Sequence, residues 1–323
     1  MKARWAGFFV FFALLVSLNV ALAAEPGYPT KEIGIIGAFG PGAGTDLGAR
    51  MIVENSKKYL GQEVMVTNQP GGGGRVAVTL VGKAKPDGYT LGSVDSNIII
   101  LKPHLEKVLY KFDDFTYITQ FGVLNLGIIV PTASPFLNFK DFLDFARANP
   151  DKLTVSNVGM GSTGHLCTVA LNLMEGVKMK PIPFDGAATA VTALLGGHVL
   201  ASAVGFSGFA QHLRAKSVRL LALMGDERME AYPDVPTLKE LGYPLTLQAW
   251  YLMIGPKNMD KAVVKKLEEA FRKGIDSPGF IKLAKEIEIY AKSPLSGDPL
   301  REELTRRNNS FSELVKKLGL EAK

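Results

Sequence analysis

Apolar strands, Gly-rich turns and amphipathic helices follow one another in a regular order near the start of this chain. From residue 32 to 95, three apolar strand segments alternate with two helical segments. The two corners between them read "GAFGPGAGTDLGAR" (37–50) and "PGGGGRVAV" (70–78). Strands that are joined through helices usually pair in parallel. This order therefore predicts parallel strands in a three-layer α/β architecture.

A second series of strands and helices begins near residue 126 and indicates a second α/β lobe. It contains another Gly-rich corner, "SNVGMGSTGHL" (156–166). The segment from 246 onward holds one apolar strand and two charged helices, too little for a domain of its own. We therefore expect lobe 1 at 24–125 and 246–323 and lobe 2 at 126–245. Two crossings between the lobes would leave a hinged cleft.

The first 23 residues have the pattern of a secretory signal peptide. Lys2 and Arg4 precede an uncharged run from Trp5 to Leu22, and 21–23 read Ala-Leu-Ala, a small-x-small cleavage site. An uncleaved membrane anchor is the alternative, but the apolar run is short for a bilayer span. We expect cleavage after residue 23 and a soluble mature protein in the periplasm.

Charge and motifs argue against several functions. The formal net charge is +6, and the basic residues are mixed with acids rather than interleaved with aromatics, so no nucleic-acid surface is expected. Gly42 and Gly44 are followed by Leu47, where a dinucleotide-binding turn needs glycine. A phosphate-binding G-x-x-x-x-G-K-[ST] loop and the common zinc motifs are also missing from the sequence. The sequence therefore predicts neither a cofactor nor a metal.

The single cysteine, Cys167, lies in the apolar helical run "HLCTVALNLM". A chain with one cysteine cannot form an internal disulfide, so its stability must come from its cores. A reactive thiol would need an electropositive and partly open environment. We expect Cys167 to be buried and structural.

The corner at 37–50 has the features of an anion-binding turn. The start of a helix leaves amide groups unpaired and carries partial positive charge, and glycines let the backbone approach a ligand closely. Thr45 adds a hydroxyl donor. In the alternative reading, the glycines only form a tight turn and Thr45 or Asp46 only caps the helix. The corner at 156–166 repeats the pattern with Ser162 and Thr163, so the two corners could hold one acid across the cleft.

An exported α/β hydrolase-like enzyme is the alternative function. Ser162 and His165 stand three residues apart on one predicted helix and form the only conceivable nucleophile and base pair. The stretch "GFSGF" (205–209) has phenylalanine where a nucleophile elbow needs its last glycine. A receptor needs only a cleft, donors and a hinge, and we therefore expect no enzyme.

Many ordered motifs make the chain resemble one family. They include "YPTKEIGIIGAFGPGAGTD", "LGQEVMVTNQPGGGG", "AKPDGYTLG", "GSTGHL", "IPFDG", "ALLGGHV" and "YPDVPTLKELGYP". Together they resemble the substrate-binding proteins of tripartite tricarboxylate transporters, also called the Bug family of extracytoplasmic solute receptors. The resemblance implies a two-lobed periplasmic binding protein of class II topology. Such a protein, a monomer by default, captures a small organic acid and delivers it to a permease with two integral membrane subunits.

The resemblance also implies a set of ligand-binding positions, most of them in the Gly-rich corners. Those in the first lobe match Phe39, Pro41, Gly42, Gly44, Thr45, Asp46 and, in a later loop, Ser93. Those in the second lobe match Gly161, Ser162, Thr163, His165, Phe184, Asp185, Gly186 and Ser207. Asp185 departs from the family pattern, because many relatives carry a basic residue there. Facing the cleft, it would disfavour multiply charged anions.

We predict that the mature protein begins at Ala24, because the small residues at 21 and 23 satisfy the export peptidase. N-terminal sequencing of protein exported by its native host would check this. A protein that still begins at Met1 would contradict cleavage and make the first segment an anchor.

Overall fold

Two five-stranded sheets with helices on their faces form the structure, a computed structural model that describes residues 27–225, 227–245, 247–317 and 319–321. The predicted signal peptide at 1–23 lies outside these residues. The strands are β1 Ile33–Gly37, β2 Val64–Asn68, β3 Thr90–Asp95, β4 Phe115–Leu124, β5 Leu126–Pro131, β6 Thr154–Asn157, β7 Lys180–Pro183, β8 Ala201–Gly205, β9 Val218–Leu223 and β10 Ala249–Pro256.

The helices lie mostly between the strands. They are α1 Gly44–Leu60, α2 Arg75–Gly82, α3 Asn97–Ile100, α4 Lys102–Leu105, α5 Phe139–Ala148, α6 Thr163–Glu175, α7 Ala187–Leu195, α8 Ala210–Arg214, α9 Lys261–Ile275, α10 Pro278–Glu286 and α11 Gly297–Lys317. Short 3-10 turns occur at Gly72–Gly74, Phe112–Asp114 and Phe206–Gly208.

The two sheets share one strand order. In the first sheet it is β2-β1-β3-β10-β4, and in the second β7-β6-β8-β5-β9. Strands β1, β2 and β3 pair in parallel, as predicted, and so do β6, β7 and β8. Strand β5 follows the first crossing and β10 follows the second, and each is antiparallel to both of its neighbours. This is the class II order of two-lobed binding proteins.

The last helices pack against the first lobe. Gly274 in α9 lies so close to α1 that a Cβ there would stand 2.6 Å from the Ile52 carbonyl oxygen. Ser296, just before α11, donates from its hydroxyl to Thr119 Oγ1 in β4 at 2.8 Å. The boundaries 24–125, 126–245 and 246–323 themselves stay a prediction.

Strand β4 has no counterpart in the sequence prediction, because Thr116, Thr119 and Gln120 interrupt its apolar pattern. Thr116 donates its hydroxyl to the Pro256 carbonyl of β10 at 2.8 Å, whereas Gln120 is bonded to a segment outside the sheet. Gln120 Oε1 accepts the Leu295 N–H at 3.2 Å, and the Gln120 N–H donates to the Leu295 carbonyl at 2.8 Å. A distant segment therefore makes this strand possible, and local sequence alone does not show it.

The expected pair of C-terminal helices is wrong, since the structure has three, α9, α10 and α11. Helix α9 ends at Ile275, and α10 starts almost at once. Ser277 accepts the Phe280 N–H at 3.2 Å, and Pro278 occupies the first helical position. A Ser cap followed by proline is a helix start signal, which explains the break.

Cys167 is fully buried in α6, as predicted, and burial raises the pKa of its thiol to about 12. The start of the same helix packs directly on the second sheet. A Cβ at Gly164 would overlap the Ala203 carbonyl oxygen of β8. Glycine at this position therefore lets the first turn of α6 lie against the end of the sheet.

We predict that Gly164→Ala destabilises the protein by about 1–3 kcal/mol, because a backbone carbonyl cannot move aside as a flexible side chain can. Gly279→Ala is the matched control. Gly279 is also the second residue of its helix, and a Cβ there would meet only side-chain atoms at ordinary contact distance, Met51 Sδ at 3.6 Å and Asn55 Nδ2 at 4.0 Å. Thermal unfolding of both variants tests this, and equal midpoints would contradict the proposed close packing.

Candidate functional site

The first Gly-rich corner joins β1 to α1 and is braced by Asp46. Asp46 Oδ2 accepts the Gly42 N–H at 3.0 Å, and its Oδ1 accepts from Arg50 Nε at 2.8 Å. Gly42 has a φ of 84°, a left-handed conformation that favours glycine. The charge of Asp46 is thus engaged within the corner. In the described chain, the N–H groups of Gly44 and Thr45 donate to no acceptor.

Thr45 is completely buried at this helix start, and its Oγ1 has no hydrogen-bond partner among the described residues. Its carbonyl accepts from Ser93 Oγ at 2.8 Å, which links α1 to the end of β3. A buried hydroxyl without a partner is costly, and such groups in native proteins usually have a ligand or water to bond. Thr45 therefore presents a free donor at the start of α1.

The second-lobe corner uses Ser162 and His165 to start α6. Ser162 Oγ accepts the His165 N–H at 3.4 Å, and His165 Nδ1 accepts the Gly161 N–H at 3.3 Å. Burial, followed by the charge of Lys102, lowers the pKa of His165, which suits a ring nitrogen that accepts. Both side chains are bonded to the backbone of their own corner, and neither bonds to the other side chain.

One cavity of about 40 Å³ lies between the lobes, where these corners meet. We call it the interlobe cavity. Its apolar lining is Phe39, Ala43, Leu124, Leu126, Val158, Ala187, Ala203 and Val204. Its other lining residues are Gly44, Thr45, Asp95, Thr163, Gly164, Gly205, Ser207 and Tyr251. None of these lining residues is Lys, Arg or His.

Five residues expected from the sequence line the interlobe cavity: Phe39, Gly44, Thr45, Thr163 and Ser207. Six others hold the corners beside it: Gly42, Asp46, Ser93, Gly161, Ser162 and His165. The remaining four are outside its lining: Pro41, Phe184, Asp185 and Gly186. Pro41 and Asp185 are exposed. Gly186 precedes α7, and the Asp185 carbonyl lies near Gly40, where the lobes approach each other.

The lining includes two polar residues that sequence reasoning missed, Asp95 and Tyr251. Asp95 ends β3, is 3% exposed, and accepts the Asn97 N–H on Oδ1 at 2.7 Å. Strand β10 places Tyr251 directly opposite Asp95. Ligand sites in parallel sheets form at the carboxyl ends of strands, so the aspartate at the end of "YTLGSVD" is a signal that could have been used.

Burial dominates the electrostatics of Asp95. It raises the pKa of Asp95 to about 7, against smaller lowering effects from the Asn97 N–H and Lys102. Lys102 is itself fully buried, and burial lowers its pKa. The Lys102 ammonium pairs with Glu106 at 3.2 Å and donates to the Met160 carbonyl of the other lobe at 2.9 Å. It is thus bonded elsewhere and leaves Asp95 without a partner cation.

Lys102 and Asn97 each make a hydrogen bond that holds the lobes against each other beside the interlobe cavity. One is the Lys102 to Met160 bond, and in the other Asn97 Nδ2 donates to Thr163 Oγ1 at 3.4 Å. Asn97 Nδ2 also donates to the Leu247 carbonyl at 3.0 Å. These bonds connect the first lobe to the second at the edge of the cavity.

The sequence matches a known receptor family. The model of the tripartite tricarboxylate transporter family receptor matches residues 48–320. This chain belongs to that family. It is 32% identical over 311 residues to a UPF0065 protein in the gbd 5′ region of Cupriavidus necator, covering 95% of this chain and 94% of the relative. It is 28% identical over 259 residues to BugT from Bordetella pertussis, covering 79% of each chain.

Solved structures of the family share the whole fold. The periplasmic binding protein BugD is 29% identical, with a TM-score of 0.83 that covers 92% of this chain and all of BugD. MatC from Rhodopseudomonas palustris with bound malate is 25% identical, with a TM-score of 0.80 over 89% of this chain and all of MatC. The predicted two-lobed binding-protein fold is confirmed.

Family membership also decides the class of function. The protein is a solute-binding receptor of the tripartite tricarboxylate transporter family and not an enzyme. The hydrolase alternative has no support among the relatives, and Ser162 and His165 serve the start of α6 instead. Receptors of this family are periplasmic. Among the described residues, no helix combines the length and apolar character needed to cross a bilayer.

We predict that Asp95→Asn stabilises the ligand-free protein most at pH 8, with a gain that shrinks toward pH 4. Burial raises the folded-state pKa from 3.8 to about 7, so the cost of the carboxyl group is absent below about pH 4, grows as the pH rises toward 7, and is complete above it. At pH 8 we expect the thermal midpoint to rise by about 2 °C or more.

Asp87→Asn is the matched control for this measurement. Asp87 precedes the same strand, is exposed, and accepts the Tyr89 N–H at 3.1 Å, the same bond to the second following residue that Asp95 makes. A midpoint change for Asp95→Asn that does not vary with pH, or that equals the change for Asp87→Asn, would contradict the cost of burial.

Proposed function

We propose that this protein captures a small carboxylate in the interlobe cavity and delivers it to the integral membrane subunits of a tripartite transporter. The observation that carries the proposal is the start of α1. There, the Thr45 hydroxyl and the Gly44 and Thr45 N–H groups are buried donors without acceptors, and they line a cavity between the lobes. These donors suit a carboxylate, which needs no cationic side chain at such a site.

The start of α6 supplies the other lobe's share of the site. Thr163 and Gly164 line the interlobe cavity and belong to the first turn of this helix, opposite α1. A ligand held by both helix starts would favour the closed arrangement of the lobes, which Lys102 and Asn97 also support. Ser207 and Phe39 add a hydroxyl and an aromatic wall.

The size of the cavity favours a small ligand. Its volume of about 40 Å³ is roughly three times what a single water molecule requires. MatC, a relative with the same fold, holds malate, a small dicarboxylate. Because malate has more non-hydrogen atoms than three water molecules, a dicarboxylate would require some separation of the lobes, and citrate would require more.

Family membership supports the remaining parts of the proposal. A tripartite transporter supplies two integral membrane subunits as the partners, and the receptor works as a periplasmic monomer after removal of residues 1–23. Pro41, Phe184, Asp185 and Gly186 complete the site at the rim where the lobes meet. Asp46, Gly161, Ser162 and His165 position the helix starts that contact the acid.

Thr45→Val tests the proposal. Valine keeps the shape of the side chain and removes the free donor, so we expect affinity for the acid to fall by about ten- to a hundredfold. The empty protein should lose no stability, because the hydroxyl has no partner to lose. Calorimetry would use L-malate, succinate, citrate and L-aspartate, and thermal unfolding would accompany it.

Thr168→Val is the matched control, since Thr168 is a buried helix threonine that donates to the Gly164 carbonyl at 3.0 Å and is outside the cavity lining. It should change stability more than affinity. A Thr45→Val variant that melts lower yet binds each acid as tightly as the wild type would show a structural threonine and contradict the carboxylate site.

A further inference from the structure

Asp95 is an acid in a cavity that is proposed to bind an acid. Its side chain is almost completely buried and lines the interlobe cavity. One oxygen, Oδ1, is used by the Asn97 N–H. A buried carboxylate is expensive unless it is paired with a cation or protonated. The Asp95 carboxyl group must therefore either be protonated or be paired with a cation.

The protein itself offers Asp95 no cation. Among the described lining residues of the cavity, none is basic. Lys102 from α4 and Tyr251 from β10 are the titratable groups that act on Asp95, while Thr45 from α1 and Thr163 from α6 are uncharged. Lys102 is already bonded to Glu106 and Met160. The missing positive charge can come from a ligand.

The acid and the helix start lie close enough together for one small molecule. Ser93 and Asp95 point to the same face of β3, two residues apart, which is about 7 Å along a strand. Ser93 Oγ contacts the Thr45 carbonyl. The interlobe cavity therefore has a donor-rich end at Thr45 and an acceptor end at Asp95, a short distance apart.

We propose that Asp95 binds a protonated amino group of the ligand, so that the receptor takes a small amino acid in preference to a carboxylic acid without an amine. This inference rests on the proposed carboxylate site at α1 and names the class of acid that occupies it. The ligand carboxylate lies at the helix starts, and its ammonium group replaces the cation that the protein does not provide.

The pH dependence of binding distinguishes a ligand ammonium group at Asp95 from a second ligand carboxylate at the same place. In the empty protein, burial keeps Asp95 largely protonated below about pH 7. An ammonium group needs the ionised carboxylate, so its binding releases a proton and tightens from pH 6 to pH 8. A second ligand carboxylate would need the protonated form, and its binding would tighten in the opposite direction.

The experiment compares acids that differ by one amino group. Calorimetry at pH 6 and pH 8 would pair L-aspartate with succinate, L-glutamate with glutarate, L-alanine with propionate, and 4-aminobutyrate with butyrate. We expect at least one amino acid to bind the wild type about tenfold or more tightly than its partner, and more tightly at pH 8. Asp95→Asn should remove that preference, and the Asp87→Asn control should keep it.

Other outcomes overturn the inference. Tighter binding of the acids without an amine, favoured at pH 6 and lost in Asp95→Asn, would assign the protonated carboxyl to a second ligand carboxylate. An amine preference that survives Asp95→Asn in a variant that melts normally would place recognition elsewhere.

Propylamine, which has no carboxylate, separates the two proposals. If propylamine binds and the binding requires Asp95, while no acid depends on Thr45, the amine site stands and the carboxylate site fails. If acids bind through Thr45 with no preference for an amine, the carboxylate site stands and the amine site fails. No binding by any of these compounds would contradict both.

Discussion

The position of the two antiparallel strands controls the rest of this structure. Strands β5 and β10 each follow a crossing between the lobes, and each is the fourth strand in the order of its sheet, between β8 and β9 and between β3 and β4, respectively. A strand in that position forms hydrogen bonds with a neighbour on each side. The chain that leaves each crossing is therefore fixed within a sheet. The crossings thus fix where the lobes meet, and β10 brings Tyr251 to the end of β3 beside Asp95.

The site combines groups that are each unfavourable in the empty protein. The Thr45 hydroxyl is buried without a partner, and the Asp95 carboxyl is buried without a cation. Buried polar groups of this kind favour any ligand that satisfies them, because binding replaces a cost with a hydrogen bond. One end of the cavity suits a carboxylate and the other an ammonium group. Specificity would follow from both ends being satisfied together.

A positively charged side chain takes part in the contacts between the lobes, whereas none among the described residues lines the ligand cavity. Lys102 donates to the Met160 carbonyl from a fully buried position, so its charge is used in closure and not in the cavity. A cation that lined the cavity would neutralise Asp95 and favour multiply charged acids. Lys102 is instead bonded to Glu106 and Met160, and the described lining of the cavity contains no side chain with a positive charge.

The sequence alone determined the alternating strands and helices, the family and the Gly-rich corners, because these depend on local periodicity, on glycine conformation and on helix start signals. It could identify Thr45 and Thr163 for the same reason. Strand β4 was not predicted from the sequence, since its Thr119 and Gln120 are bonded to Ser296 and Leu295, far along the chain. Only the tertiary structure decided which corner residues line the cavity and that Asp95 and Tyr251 share it, because strand register and the packing of two lobes set those positions.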